Sequence, residues 1–197
     1  MKTLAIAALA SAGLFLSMTD VAAEGAASPA PLAGKWDIDG GHSSVVFKVK
    51  HAGASWFYGD FEKISGSFAA DGKDSKMSIL IDSTSIDTND DKRDAHLKSP
   101  DFFDAKQFPD ITFESTSVSP KGDDYAVDGD LTVRGKTKQI SIAVRKTGEG
   151  EFRGKRVGYE TEFVIKRSEF DMNYGIAQGV LGDEVHVMVA VELVEAK

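Results

Sequence analysis

The sequence predicts an all-β domain of about eight antiparallel strands, and two observations support this. Apolar and polar residues alternate over most of the chain after Lys35, which is typical of strands with one dry and one wet face. Glycine-containing turns separate these runs, and short connections join antiparallel neighbours. The chain also contains no cysteine, so a buried core rather than disulfides must stabilise it.

The alternating runs can be followed along the chain. In the first run, Val45, Phe47, Val49 and His51 fall on one face. The same alternation recurs over residues 77–81, 111–113, 127–133, 140–144, 157–165 and 185–193. About eight strands with one apolar face form either a sandwich or a closed up-and-down barrel, and strand number does not choose between them.

Turns are expected where glycine stands beside polar residues. Such sequences occur at Asp71-Gly72, Lys121-Gly122-Asp123, Arg134-Gly135-Lys136 and Gly148-Glu149-Gly150.

Residues 88–103 break the alternation and carry helix signals. Thr88 or Asn89 can cap a first helix, with two aspartates in its first turn, where the helix dipole favours acids. Ser99-Pro100 has the pattern of a second helix start. We therefore expect two short helices over one end of the sheet. Their apolar contacts would come from Phe102, Phe103 and Phe108.

The N-terminus has the pattern of a signal peptide over residues 1–23. Lys2 is followed by an apolar run over residues 4–18 and then by Val21-Ala22-Ala23. This run is shorter than the roughly 20 residues needed to cross a bilayer. We expect cleavage before Glu24, a flexible leader over residues 24–33, and a domain over residues 34–197. Export as a soluble protein follows.

Charge excludes several kinds of partner. The formal net charge is −8, and no block of lysine or arginine is present. Such a chain is a poor candidate for binding nucleic acid or anionic lipid surfaces, where basic residues dominate the affinity. No stretch after the signal peptide is apolar enough for stable membrane insertion.

Several longer motifs make the chain recognisable. They are Trp36-x-x-Asp39-x-x-His42-Ser43-x-x-x-Phe47-x-x-x-His51, Gly59-x-Phe61, Ser85-Ile86-x-Thr88, Arg93-Asp94-x-His96-Leu97-x-Ser99-x-x-Phe102-Phe103-Asp104, Phe108-Pro109-x-Ile111-x-Phe113-x-Ser115, Gly129-Asp130-Leu131-Thr132-Val133-Arg134-Gly135 and Gly182-Asp183-Glu184-Val185. In this order and spacing the chain closely resembles the YceI-like, polyisoprenoid-binding family over about residues 34–194.

The resemblance implies a lipocalin-like, up-and-down antiparallel β-barrel with a short helical insert, exported to the bacterial periplasm. It further implies a polyisoprenoid lipid or prenylated quinone in a central apolar tunnel, without a cofactor. One position departs from the family pattern. Arg167-Ser168-Glu169-Phe170 is followed by Asp171, where family members often have glycine. We expect this side chain to narrow or polarise that end of the pocket.

The inward-facing residues are rich in phenylalanine. Periodicity alone favours an ordinary filled core, whereas the resemblance implies that they line a tunnel. The predicted lining is Val45, Phe47, Val49, Phe57, Phe61, Phe68, Ile81, Phe102, Phe113, Phe163 and Phe170.

Five polar residues are candidates for the head-group end of the tunnel: His42, His51, Arg93, Asp94 and His96. Each has a structural alternative. The charged pair can tie the helical insert to the barrel rim, and a neutral histidine bonded within a loop is the usual case. The histidines lack the close spacing of zinc sites, so no metal is expected. A nucleophile elbow of the form G-x-S-x-G is also missing from the sequence.

Three functions remain open from the sequence. The first is a binder or carrier of polyisoprenoid lipids or prenylquinones without chemistry of its own. The second is an enzyme acting on such a lipid through Arg93, Asp94 and His96. The third is a stress-response scavenger of apolar molecules. A homodimer is compatible with each.

Overall fold

Eleven strands and one short α-helix form the part of the chain described by the computed structural model, residues 32–71, 74–121 and 124–196. The strands are β1 (Gly34–Ile38), β2 (Ser44–His51), β3 (Ser55–Phe61), β4 (Ile64–Asp71), β5 (Asp74–Asp82), β6 (Ile86–Asp87), β7 (Asp110–Lys121), β8 (Asp124–Val133), β9 (Lys136–Glu151), β10 (Lys155–Lys166) and β11 (Leu181–Glu195). Helix α1 is Asp91–Leu97. Residues 1–31 lie outside this description, so the signal peptide and most of the leader stay predictions.

Eight strands close into an antiparallel barrel in the order β1, β4, β5, β7, β8, β9, β10 and β11, after which β11 pairs with β1. The predicted all-β, lipocalin-like barrel is confirmed. β1 and β2 share one edge of β11, since β1 pairs with residues 193–195 and β2 with residues 181–190. The β2–β3 hairpin and β6 therefore extend the wall beyond the end of β1.

The predicted alternation decides which side chains enter the barrel. In β8, Tyr125, Val127, Leu131 and Val133 are buried, and the residues between them are half-buried. Gly129 takes the remaining inward position of the strand, and the ring of Phe113 lies over it. A Cβ atom at Gly129 would be 2.4 Å from Phe113 Cζ. Glycine at this position therefore leaves room for the ring of Phe113 from the neighbouring strand.

The turns follow the sequence at one position and depart from it at another. A turn was predicted at Arg134-Gly135-Lys136, and Arg134 and Gly135, with φ of +49° and +69°, form a two-residue connection between β8 and β9 there. Gly148-Glu149-Gly150 was expected to be a turn and lies inside β9. The two other predicted turns include residues 72, 122 and 123, which lie outside the described part.

The glycines of β9 lie within the strand rather than in a turn, and the close approach in this region is at Gly158 of β10. Gly148 pairs with Gly158 of β10, next to a register shift between Gly158 and Tyr159. A Cβ atom at Gly158 would lie 2.3 Å from Thr147 Oγ1. The chain reverses instead at residues 152–154, where Arg153 and Gly154 have positive φ. Glycine marks a bulge here, so the expected turn was wrong.

The predicted pair of helices is also corrected, because the described chain forms one. Asp90, rather than Thr88 or Asn89, caps α1 by accepting bonds of 3.0 Å from the amides of Lys92 and Arg93. Thr88 is buried, and its hydroxyl is used by side chains of α1.

The segment after Ser99 makes a series of turns instead of a second helix. The amide of Asp104 donates to the carbonyl of Ser99, and the amide of Ala105 donates to that of Lys98. Asp104 also has a φ of +46°, outside the right-handed helical region. Phe102 nevertheless reaches the interior, as expected, and is buried. In the described residues, no helix is long and apolar enough to cross a membrane.

Candidate functional site: the barrel cavity

The barrel encloses a cavity of about 390 Å³. This volume falls within the range of about 300–1,000 Å³ for small-molecule sites in proteins. Side chains of α1 and of every strand of the described part except β6 contribute to its lining, and most of them are aliphatic or aromatic. A lining of this kind favours an apolar ligand. A polar ligand group buried against it would lose its hydrogen bonds to water without gaining a partner from the protein.

All but one of the predicted lining residues border this cavity. They are Val45, Phe47, Val49, Phe57, Phe61, Phe68, Ile81, Phe102, Phe113 and Phe163. The exception is Phe170, which is 1 % exposed and belongs to the packed core rather than to the lining. It ends a short 3-10 turn, Arg167–Phe170, outside the strands whose side chains border the cavity.

The two walls of the cavity are packed to different extents. On the wall of β7 and β8, the inward residues Ile111, Phe113 and Leu131 are buried. On the wall of β10 and β11, inward residues such as Phe163 and Val187 are only half-buried although they face the interior. Because these side chains line the cavity, the surface they leave uncovered faces the internal space. We call these half-buried inward residues of β10 and β11, which include Phe163 and Val187, the open wall.

One end of the barrel is closed by a packed cluster. Trp36, Phe68, Val157 and Leu193 are buried against one another. Trp36 donates its indole Nε1–H to the carbonyl of Ala33 over 2.9 Å, so its polar atom is satisfied. We call this cluster the plug.

Tyr159 and a group of ion pairs around Arg156 adjoin the plug. Burial raises the pKa of Tyr159, which borders the cluster, to about 12. At the surface, the guanidinium of Arg156 donates from Nη1 to Asp39 Oδ2 over 2.8 Å and also bonds Glu192. The hydrogen bond from Arg156 lowers the pKa of Asp39 to about 2. These contacts connect the chain after β1 to β10 and β11.

The other end, which we call the mouth, is covered by α1 and by the segment between Asp171 and Leu181 rather than by strands. Rings on these two segments pack with Phe102, which lies in the turns after Ser99: His96 lies 5.1 Å from Phe102 and 4.9 Å from Tyr174, centroid to centroid. Phe102 and Tyr174 are 5.2 Å apart. Both His51 and Val180 also border the cavity at this end.

The polar residues predicted for the head group do not form one site. His51, Arg93 and His96 border the cavity, whereas His42 and Asp94 do not. His42 lies at the plugged end, where its Nδ1 is 3.0 Å from Asp39 Oδ2. This placement could not be predicted from the sequence, because it depends on the 3-10 turn Gly40–His42 that follows β1.

Arg93 and Asp94 are both engaged by Thr88. Arg93 donates from Nε to the hydroxyl of Thr88 over 2.8 Å and from Nη2 to its carbonyl over 2.6 Å. The same hydroxyl donates to the buried carboxylate of Asp94. The guanidinium of Arg93 also stacks 4.4 Å from the ring centroid of Phe57. The structural alternative therefore accounts for this pair, which ties α1 to the rim of the barrel.

Arg167 was missed by the sequence analysis as a residue of this site. It is 4 % exposed, borders the cavity and donates to three carbonyls, that of Met172 in the segment covering the mouth and those of Leu181 and Gly182 at the start of β11. Burial lowers the pKa of its guanidinium. The signal was available in the Arg-x-x-Phe motif, but nothing in the sequence distinguishes a buried arginine from a surface one.

Asp171 does not narrow the pocket as expected. Its side chain is exposed and lies 3.0 Å from Lys136 Nζ, outside the cavity lining. Its φ is +59°, a left-handed conformation that glycine adopts without strain. The backbone therefore explains why glycine suits this position, and aspartate is among the residues that tolerate it.

One group of potential metal ligands comes together in the described residues. Oxygen and nitrogen atoms of Asp39, His42 and Glu192 lie within 4.8 Å of one another. The positively charged guanidinium of Arg156 bonds the carboxylates of both Asp39 and Glu192 and therefore already lies between them.

Comparison with known proteins decides the family. The model of the YceI-like domain matches residues 36–193. The chain belongs to the YceI-like family. It is 39% identical over 168 residues to protein YceI of Escherichia coli O157:H7, covering 83% of this chain and 87% of that protein. Protein YceI of Salmonella arizonae is 38% identical over the same length and coverage.

Solved structures agree with the YceI-like fold. BcnA of Burkholderia cenocepacia superposes with a TM-score of 0.71 at 27% identity, covering 79% of this chain and 98% of BcnA. The YCEI protein of Campylobacter jejuni gives 0.67 at 28% identity, with 76% and 91% covered. A polyisoprenoid-binding domain from Saccharophagus degradans gives 0.65 at 16% identity, with 82% and 98% covered, and supports the fold alone.

Proposed function

We propose that the chain is an exported binder and carrier of a polyisoprenoid lipid or prenylated quinone, held with its apolar chain in the barrel cavity. The open wall supports this most directly. Phe163 and Val187 point inward on neighbouring strands and keep apolar surface uncovered toward an enclosed space. A filled core would cover this surface, since protein interiors are close-packed.

The geometry also gives the ligand a direction. The plug closes one end with packed strand residues, and the mouth is covered by α1 and an irregular segment that carries Tyr174 and Val180. An apolar chain that enters at the mouth would end against Phe68 and its neighbours. The polar head group would then lie near His51 and His96, which border the cavity at the mouth.

Energetics favour a carrier rather than a permanent store. Moving one isoprene unit out of water into an apolar site is worth roughly 4 kcal/mol, at about 0.8 kcal/mol per carbon. A membrane lipid is already out of water before it is bound, so most of this free energy is absent from transfer between bilayer and barrel. Exchange in both directions is then nearly balanced.

We infer a binding role rather than catalysis. A catalytic constellation needs groups within hydrogen-bond reach of one reacting point. Thr88 engages Arg93 and Asp94, while His96 Nε2 is 2.9 Å from Asp101 Oδ2, so these side chains are directed to structural partners. Asp94 is outside the cavity lining.

Native mass spectrometry of protein purified from the cells that produce it tests the proposal. We expect a co-purifying species whose mass corresponds to a polyprenyl lipid or a prenylated quinone. A mixture of unrelated apolar molecules would support the scavenger alternative instead. Ligand-free protein that also fails to take up added prenylquinone would contradict the proposal.

The export part of the proposal has its own measurement. Intact mass of the exported protein should correspond to a chain that starts at Glu24. Protein retained in the membrane pellet with residues 1–23 still attached would contradict it.

A further inference from the structure

An exposed aromatic and basic surface adjoins the mouth. Trp56, on the outer face of β3, is 39 % exposed. The ammonium of Lys50 lies 4.7 Å from the centroid of its indole ring, and that of Lys48 lies 5.4 Å away. Tyr174 and Val180, which border the cavity, are 46 % and 43 % exposed. Trp56 and the two lysines lie on β3 and β2, and Tyr174 and Val180 belong to the segment between Asp171 and Leu181 that covers the mouth.

Backbone contacts make this surface continuous with the entrance. The amide of Ala52 donates to the carbonyl of Val180 over 2.8 Å, which joins the β2–β3 turn to the mouth segment. A Cβ atom at Gly182 would lie 3.3 Å from that of Lys50, so the lysine lies beside the start of β11, which directly follows this segment. We call Lys50, Trp56, Tyr174, Val180 and the turn at residues 52–54 the rim surface.

The charges of the rim surface suit lipid phosphates. Lys48 lies 3.8 Å from Glu162. Within the described ranges, Lys50 has no carboxylate within salt-bridge distance, although the chain as a whole carries a net charge of −8. Tryptophan and tyrosine concentrate at membrane–water interfaces because their rings are apolar and their polar atoms stay hydrated. An ammonium beside such a ring offers phosphate a partner at the same depth.

We propose that the rim surface docks transiently on the head-group layer of a phospholipid bilayer, so that lipid passes between bilayer and cavity without crossing water. This inference rests on the proposed function. Its physical reason is that an isoprenoid chain exposed to water during transfer would lose the free energy of burial carbon by carbon. A mouth seated in the interface removes that barrier.

The two tryptophans allow a direct test. Wild-type protein is mixed with phosphatidylcholine vesicles that contain no prenyl lipid and carry brominated acyl chains. We expect Trp56 emission to be quenched, while Trp36, buried in the plug, keeps its emission. A Trp36→Phe variant isolates the signal of Trp56. Unquenched emission at saturating vesicle concentration would contradict the proposal.

Vesicle flotation of variants locates the docking surface. Trp56→Ser and Lys50→Glu should each weaken partition to the vesicles about tenfold. Phe152→Ser is the matched control, since Phe152 is 59 % exposed, stacks with Arg153 and Arg156, and lies at the plugged end. It should leave partition unchanged. Loss of partition in Phe152→Ser but not in the other two variants would overturn the assignment. Circular dichroism confirms that each variant is folded.

Uptake of prenylquinone from a cyclodextrin complex separates this inference from the proposed function. The Trp56 and Lys50 variants should take up prenylquinone from cyclodextrin as the wild type does, because neither side chain borders the cavity. Wild-type uptake from cyclodextrin without vesicle quenching would contradict docking and leave the proposed function standing. Failure of wild-type uptake would contradict the proposed function itself.

Discussion

Phe113 and Phe163 are both inward-facing phenylalanines on barrel strands, yet their surroundings differ. Phe113 on β7 is buried, and its ring occupies the space that Gly129 leaves on β8. Phe163 on β10 stands opposite Val187 and is half-buried. The same residue type in the same strand pattern thus fills one wall and leaves the other open. Alternation assigns a side chain to the interior, and the neighbouring strand decides whether anything packs on it.

Alanine at these two positions should have the most different effects. Phe113→Ala removes a packed ring and should lower the free energy of unfolding by about 3–5 kcal/mol. Phe163→Ala should cost clearly less than this in the ligand-free protein, because part of the ring already faces empty space. Chemical denaturation of both variants without ligand measures the difference. Equal costs would mean that the two walls are packed alike.

Gly129→Ala sharpens the same comparison on the packed wall. The added methyl would meet both the Phe113 ring and the carbonyl of Glu114, at 2.4 and 2.7 Å. We expect a loss of about 1–3 kcal/mol, as for other overpacked cores. Gly148→Ala on β9 is the control, since its Cβ would have no atom within 4 Å among the described residues. A harmless Gly129→Ala would show that Phe113 is free to move.

Strong acid should weaken the ion pair at the plugged end. The bond from Arg156 lowers the pKa of Asp39 to about 2, below the value of about 3.9 for an unfolded aspartate. The contribution of this pair is therefore complete above pH 4 and is lost as the pH falls toward 2. The melting temperature of Asp39→Asn should show a shallower decline than wild type over that interval. Parallel declines would contradict this role for Asp39.

Much of the barrel could be predicted from the sequence, because period-two alternation directly reports the two faces of a strand. Val127, Leu131 and Val133 lie inward as predicted. The errors arose where a residue serves a distant contact. Thr88 is a residue type typical of helix caps, but its hydroxyl forms hydrogen bonds with Arg93 and Asp94. Gly148 is a residue type typical of turns, but it pairs with Gly158 between β9 and β10.

The site was predictable in its lining and not in its packing. A resemblance carried by several motifs identified the residues that border the cavity, with the exception of Phe170. Which of them are covered depends on strand neighbours and therefore on three-dimensional packing. Arg167 was missed for the same reason, since its carbonyl partners are contributed by residues 172–182 after a further turn of the chain.

The central claim is that the open wall holds an isoprenoid chain, and one pair of variants on β11 tests it most directly. Val187 points inward and borders the cavity, whereas its neighbour Met188 is on the outer face. In a prenylquinone titration, Val187→Trp should weaken binding at least tenfold, with the ligand-free melting temperature close to that of wild type. Met188→Trp should bind as wild type does. Undiminished binding by a folded Val187→Trp variant would contradict the account.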